Sequence, residues 1–207
     1  MEKKKKFKEK YLIWKKDMKE IMHPLIISLI FFFITSSIAI MGGRYTTKVG
    51  TVPAPDIILD NIPVIDLVFI FFWGINILIA FFFVYVIFIE TKRAPRLILM
   101  VSLLYLIRGI FIVLTHLSTP IEAIQVPLYF ENDVFFSGHT AFPFLCFLMF
   151  RKWWAKIAML FSSILMGIVV LVTHRHYSID VAAAFFITYA IYALGNKIFG
   201  IKKDKGS

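Results

Sequence analysis

Two histidine-bearing polar islands interrupt an otherwise apolar chain: Ser137-Gly138-His139-Thr140 and, one hydrophobic stretch later, His174-Arg175-His176-Tyr177-Ser178-Ile179-Asp180. If a helix begins near Ser178, His176 and Asp180 stand four residues apart and share a face. The carboxylate then accepts a hydrogen bond from one imidazole nitrogen, fixes the tautomer and stabilises the cation, so that the other nitrogen serves as a nucleophile. An imidazole held in this way attacks phosphorus to give a phosphohistidine. Asp180 in a first helical turn is also favoured by the helix dipole. His139 opens a different helix, where Ser137 suits the N-cap and Gly138 lets a phosphate approach free backbone N–H groups. His139 would protonate the leaving oxygen. These residues point to phosphoryl transfer, with activity that needs one neutral and one protonated histidine.

The elements that must hold these groups are membrane helices. Of the 207 residues 59% are hydrophobic, and 23 are Phe, which places the chain in the membrane class. A bilayer core of about 30 Å needs about 20 apolar residues per helix. Six stretches approach this: Pro24 to Met41, Val64 to Ile89, Leu97 to Leu117, Gly138 to Phe150, Lys156 to Val172 and Ser178 to Ile198. The fourth is short and is expected to begin in the protein interior or at the interface near Phe135 and Phe136. The expected fold is therefore an all-α integral membrane protein of six transmembrane helices, with a transmembrane domain over residues 24–200.

A net charge of +10 suits nucleic acid in a soluble protein, but the placement of the charges excludes that partner. Basic residues alternate by loop. Lys3 to Lys19, then Lys92, Arg93 and Arg96, then Arg151, Lys152 and Lys156, then Lys197 to Lys205 fall on one side, which is expected to be cytoplasmic. The other side holds Asp56, Asp60, Glu122, Glu131, Asp133 and the histidine-rich segment. Both termini are then cytoplasmic and the chemistry is exoplasmic, that is, periplasmic, extracellular or lumenal.

Residues 1–23 carry Phe7, Tyr11, Trp14, Met18 and Ile21 at three- and four-residue steps among lysines. The pattern reads either as a basic amphipathic interfacial helix drawn to an anionic lipid surface or as a topology-setting basic tail. Residues 201–207 form a basic C-terminal tail. The first apolar stretch exceeds a signal-peptide core and is expected to be retained. The segment Gly42 to Pro63, with Gly42-Gly43, Gly50 and Pro53-Ala54-Pro55-Asp56, reads as an ordered loop, either a lid over the outer mouth or a plain connector. A second outer loop, Ser118 to Phe136, is stiffened by Pro120 and Pro127. Cys146 stands alone in an apolar segment and reads as a small core residue. His23 and His116 read as interfacial. His139, His174, His176 and Asp180 are permitted zinc ligands, but no HExxH-type spacing accompanies them, so neither a metal nor another cofactor is expected.

In these motifs the chain resembles the sphingomyelin synthase and ceramide phosphoethanolamine synthase family, relatives of the type-2 phosphatidic acid phosphatases. Pro53-Ala54-Pro55-Asp56 is similar to the family's first motif, and Arg108 with Thr115, Leu117 and Pro120 to its second. Asp133-Val134-Phe135-Phe136-Ser137-Gly138-His139-Thr140 is close to the third, and His174-x-His176-Tyr177-Ser178-Ile179-Asp180-Val181 to the fourth. The resemblance implies a catalytic triad of His139, His176 and Asp180. It also implies substrate contacts among Asp56, Arg108, Asp133, Ser137, Gly138, His174, Arg175 and Tyr177. Members move a phosphocholine or phosphoethanolamine head group from phosphatidylcholine or phosphatidylethanolamine to ceramide, releasing diacylglycerol. Arg175 departs from the acidic residue often found between the two histidines.

The phosphatase branch has the pattern K-x6-R-P, P-S-G-H and S-R-x5-H-x3-D. Here Phe136 precedes Ser137, Arg108 lacks its lysine and its proline, and Val169-Val170 replaces Ser-Arg. A phosphate monoester brings nearly two negative charges and needs several Arg or Lys forks. Arg108 is the cation expected mid-span, with Arg44, Lys48 and Arg175 on the outer side, a set that suits a phosphodiester. Arg108 either neutralises charge developing on phosphorus or pairs with a buried carboxylate. The expected activity is an exoplasmic lipid phosphotransfer to a ceramide-like or diacylglycerol-like alcohol. A lipid phosphate or polyprenyl diphosphate phosphatase, a phospholipase C-like hydrolase, and a non-catalytic lipid-binding bundle are the alternatives.

Overall fold

A computed structural model describes residues 2–49, 52–124 and 132–200, with side chains from residue 5 onward. Gly50, Pro127, Glu131 and the 201–207 tail lie outside the described residues. The described residues form six α-helices: α1 Glu2–Val49, α2 Val68–Phe88, α3 Ala94–Thr115, α4 Gly138–Met149, α5 Trp153–Val172 and α6 Ser178–Ile198. Five helical segments are long and apolar enough to cross a membrane, and α4 is shorter. The protein is accordingly a multi-pass membrane protein with an all-helical fold.

Contacts at the two ends fix alternating helix directions. At one end Trp14 of α1 donates its indole N–H to the Ile87 carbonyl of α2 at 3.0 Å, and Arg93, at the head of α3, donates to Met149 O at the foot of α4 at 3.2 Å. At the other end Thr46 of α1 donates to Asn132 O at 3.0 Å, and Arg108 of α3 reaches the segment that begins α4. The second end carries both histidine islands.

α1 departs from the sequence reading in two ways. The basic segment 1–23 and the first span form one continuous helix that passes through Pro24. The helix also continues to Val49, so residues 42–49, expected in a loop, are helical. Gly42 and Gly43 therefore make no turn. A Cβ on Gly42 would stand 3.1 Å from Gly109 O, and one on Gly109 would stand 3.1 Å from the Cα of Ala39. The glycines let the backbones of α1 and α3 touch, as small residues do between membrane helices.

α4 is the central helix. At 12 residues it is about 18 Å long, too short for a bilayer, and His139, Thr140, Ala141, Phe142, Leu145 and Cys146 on it are buried. It starts in the interior, as its length predicts. Ser163 of α5 donates to Thr140 O at 2.8 Å, and a Cβ on Gly167 would press Val181 and Thr140, which shows how closely α5 and α6 pack at this level.

Gly109→Leu is expected to lower the melting temperature in detergent by several degrees, because overpacking costs about 1–3 kcal/mol. Ile110→Leu, at an exposed neighbouring position, should leave the transition unchanged in the same melt.

Candidate active site

The turn between α5 and α6 is built by backbone geometry. α5 ends with Thr173, after which His174 adopts a left-handed conformation at φ 53. His174 N–H bonds to Leu171 O at 2.9 Å and Arg175 N–H to Val170 O at 3.0 Å, the paired bonds of a Schellman motif. Glycine usually fills this position. Here histidine does, at a conformational cost of about 1–2 kcal/mol. The turn delivers His176 and Tyr177 directly to the first turn of α6.

The spacing brings His176 and Asp180 together, with His176 Nδ1 3.4 Å from Asp180 Oδ2, an ion-pair distance without the expected hydrogen bond. The same carboxylate oxygen accepts the Tyr177 N–H at 2.8 Å, which locks it at the helix start. Asp180 has no exposed surface and His176 is buried. The Asp180 carbonyl in turn accepts the N–H of Ser137 at 3.3 Å, joining α6 to the start of α4. This join sets His139 opposite His176, with ring centroids 6.4 Å apart and planes inclined by 60°. His139 lies on Phe71 of α2 at 4.0 Å between ring centroids and hydrogen-bonds the Phe71 backbone. The sequence offered no signal for Phe71, which is one of many phenylalanines in an apolar run.

Ser137 occupies the N-cap of α4, but its hydroxyl makes no cap hydrogen bond; it accepts instead from the Thr140 hydroxyl at 3.2 Å. Ser137 thus gives the head of α4 no side-chain cap. Gly138 has a steric role here, since a Cβ would stand 3.0 Å from Arg108 Nε.

Arg108 is buried and fully engaged. Its Nε donates to Phe136 O at 2.9 Å, and its terminal nitrogens hold both Asp133 carboxylate oxygens, at 2.9 and 3.2 Å. Of the two roles open to it from sequence, pairing with a carboxylate is the one present in this structure. The guanidinium clamps residues 133–136, which lead into His139. Arg108 and Arg175, also buried, both lie within electrostatic reach of the His139 imidazole.

Asp56, expected near substrate, spends both oxygens on backbone. Oδ1 accepts the N–H groups of Ile58 and Leu59 at 2.9 and 3.2 Å, and Oδ2 accepts Ser178 N–H at 2.6 Å. It caps α6 across 122 residues of sequence. Burial alone would raise its carboxyl, but the bonds from Ser178, Ile58 and Leu59 outweigh it and hold the group below its ordinary value. Tyr177 also ties down this segment, its hydroxyl accepting Ala54 N–H at 3.1 Å. The 52–67 stretch is therefore fastened over the α5–α6 turn. Beneath it lies a cavity of about 500 Å³ lined by Asp56, Asp60, Glu122, His174 and Tyr177 among others. His174 Nδ1 stands 4.0 Å from Glu122.

A second cavity, of about 270 Å³, reaches His139. Phe32 and Ser36 of α1, Asn76 of α2, Tyr105 and Arg108 of α3, and Gly138 and His139 of α4 line it. Among the described residues no group of three or more His, Cys, Asp or Glu side chains forms a metal-binding cluster.

Residues 132–197, which contain both histidine islands, match the family model described as PAP2 superfamily C-terminal. The match supports the type-2 phosphatidic acid phosphatase superfamily, whose members are lipid phosphatases and phosphotransferases, and hence an enzyme acting on membrane lipids. No curated protein and no solved structure matches the chain significantly.

Asp56→Asn is expected to weaken the hold on Ser178, charge-assisted bonds of this kind being worth about 1.5–3 kcal/mol. Because the folded carboxyl titrates below its unfolded value, the contribution is present above the unfolded pKa and is lost as pH falls through the lower folded one. Wild type should therefore lose stability below about pH 4, and the variant should show less of that acid dependence in melts across pH.

Proposed function

We propose that the chain is a lipid phosphotransferase of sphingomyelin-synthase type. One observation carries the reading: His176, with the Asp180 carboxylate beside it, faces a second buried histidine, His139, which also lines a cavity between α1, α2 and α3. With Nδ1 turned toward Asp180, Nε2 of His176 is the nucleophile. It attacks the phosphorus of a glycerophospholipid, the bond to the glycerol oxygen breaks, and His139 gives its proton to that oxygen, so that diacylglycerol leaves. His139, now neutral, takes the proton from the incoming alcohol, whose oxygen displaces His176 from phosphorus. Amides at the start of α4 and the guanidinium of Arg175 are suited to stabilise the phosphoryl oxygens.

Phosphatidylcholine or phosphatidylethanolamine is the proposed donor, and a ceramide-like or diacylglycerol-like lipid the acceptor. The proposed topology has both termini in the cytoplasm and the histidine end exoplasmic, because Lys92, Arg93, Arg151 and Lys152 fall at the opposite end. The outer cavity with Asp60 and Glu122 would receive a cationic head group, and the basic start of α1 would face anionic lipid. Arg108 and Asp133 are positioning residues in this scheme, and His174 and Tyr177 shape the head-group side.

The test uses purified protein in liposomes with phosphatidylcholine, phosphatidylethanolamine, phosphatidic acid and fluorescent ceramide, with all lipid products read by mass spectrometry. A new ceramide phosphodiester together with diacylglycerol is expected. His176→Ala should abolish both, and His139→Ala and Asp180→Asn should each reduce turnover about 10²- to 10⁴-fold. Diacylglycerol with free phosphate and no new phosphodiester would assign the chain to hydrolysis instead.

A further inference from the structure

We propose that the end of the bundle opposite the histidines holds a discrete binding site for the head group of an anionic glycerophospholipid. The site lies where α1, the α2–α3 turn and the α4–α5 turn meet, around a cavity of about 640 Å³. It is independent of the reaction proposed above. Along α3, Arg93 and Arg108 are 15 residues apart, about 22 Å of helix, so a lipid bound here touches none of the catalytic groups.

Charge selects the ligand class. The cavity is lined by Lys10, Lys92, Arg93, Arg151 and Lys152 against two acids, Asp17 and Glu90, an excess of three positive charges. Both acids are committed to structure. Asp17 pairs with Lys92 at 3.3 Å. Glu90 is buried, pairs with Arg93, and accepts from the Tyr85 hydroxyl and the Arg151 N–H at 2.7 Å each. Tyr85 also accepts Lys152 N–H at 3.2 Å, and Arg93 donates to Met149 O at 3.2 Å. The wall is thus a fixed polar network. Lys10 and Lys152 come to it from separate elements, α1 and the α4–α5 turn, and converge on one space.

The rim selects a lipid over a free anion. Ile13, Phe88 and Ile89 border the cavity with exposed apolar surface. Trp14 is fixed between them, its indole N–H on Ile87 O and its ring stacked on Phe88 at 5.5 Å. Aromatic side chains of this kind sit at head-group level. A phosphate among the cations with its acyl chains along this rim satisfies both halves of the surface.

Native mass spectrometry of the purified full chain in neutral detergent tests the site, with phosphatidylglycerol titrated against phosphatidylcholine of the same acyl chains. Binding of phosphatidylglycerol is expected to be at least tenfold tighter. Lys10→Ala with Lys152→Ala should weaken it about 25-fold, about fivefold for each cation lost. Lys5→Ala with Lys6→Ala removes the same charge outside the cavity and should change it less than twofold, and His176→Ala should leave it unchanged. If the first double variant lacks a melting transition, the single variants, each about fivefold weaker, carry the comparison. Equal losses in the two double variants, no preference for phosphatidylglycerol, loss in His176→Ala, or displacement of the lipid by equimolar inorganic phosphate would each overturn the proposal.

Discussion

The Asp180 carboxylate has no exposed surface, and three separate pieces of the site hang on this one residue. Its side chain takes the Tyr177 N–H and faces His176, and its carbonyl takes the Ser137 N–H at the head of α4. A buried carboxylate is costly unless it is paired and hydrogen-bonded. Its neighbours here are the helix start, through the Tyr177 N–H, and the His176 imidazole 3.4 Å away. α4 then registers against α6 through the same residue, and the distance between the two histidines follows from that join. At the other end of the bundle Glu90 plays a similar part, with partners from α2, its own α2–α3 turn and the α4–α5 turn.

Arg108 extends this logic to the approach to His139. Asp133 and Phe136 precede the helix on a segment with no regular backbone partners, and the guanidinium replaces those partners with three hydrogen-bonding nitrogens. Gly138 is small because the guanidinium lies against it. A lysine has neither the fork nor the planarity to make these bonds together, so the pairing with Asp133 accounts for arginine at this position without any direct contact to substrate.

What could be read from the sequence depended on range. His176 and Asp180 were legible because four residues on one helix share a face, and the short α4 because its apolar run cannot span a bilayer. The spans of α2, α3, α5 and α6 followed from length and composition to within a few residues. Gly42 and Gly43 misled because glycine serves two ends, turning a chain and admitting a neighbouring helix, and only the neighbour distinguishes them. Asp56 in a proline-rich segment carried no sign that its partner is Ser178, 122 residues on. His174 in the left-handed region was equally hidden, since nothing local distinguishes it from the other histidines. The Glu90 network was invisible for the same reason, being assembled from four elements.

Charge balance at the centre bears on which phosphate ester suits it. Arg108 and Arg175 bring two positive charges close to His139, and Asp133 and Asp180 bring two negative ones. With one histidine protonated, the centre carries a single positive charge. A phosphodiester monoanion neutralises it, whereas a monoester dianion leaves one negative charge in a site walled by Phe71 and largely removed from water, where uncompensated charge is most costly. The missing cations of the phosphatase pattern and the engagement of Arg108 by Asp133 thus act in the same direction. For the phosphotransfer proposed above, both weigh toward a lipid diester, with Arg175 and the start of α4 left to stabilise the transferring group.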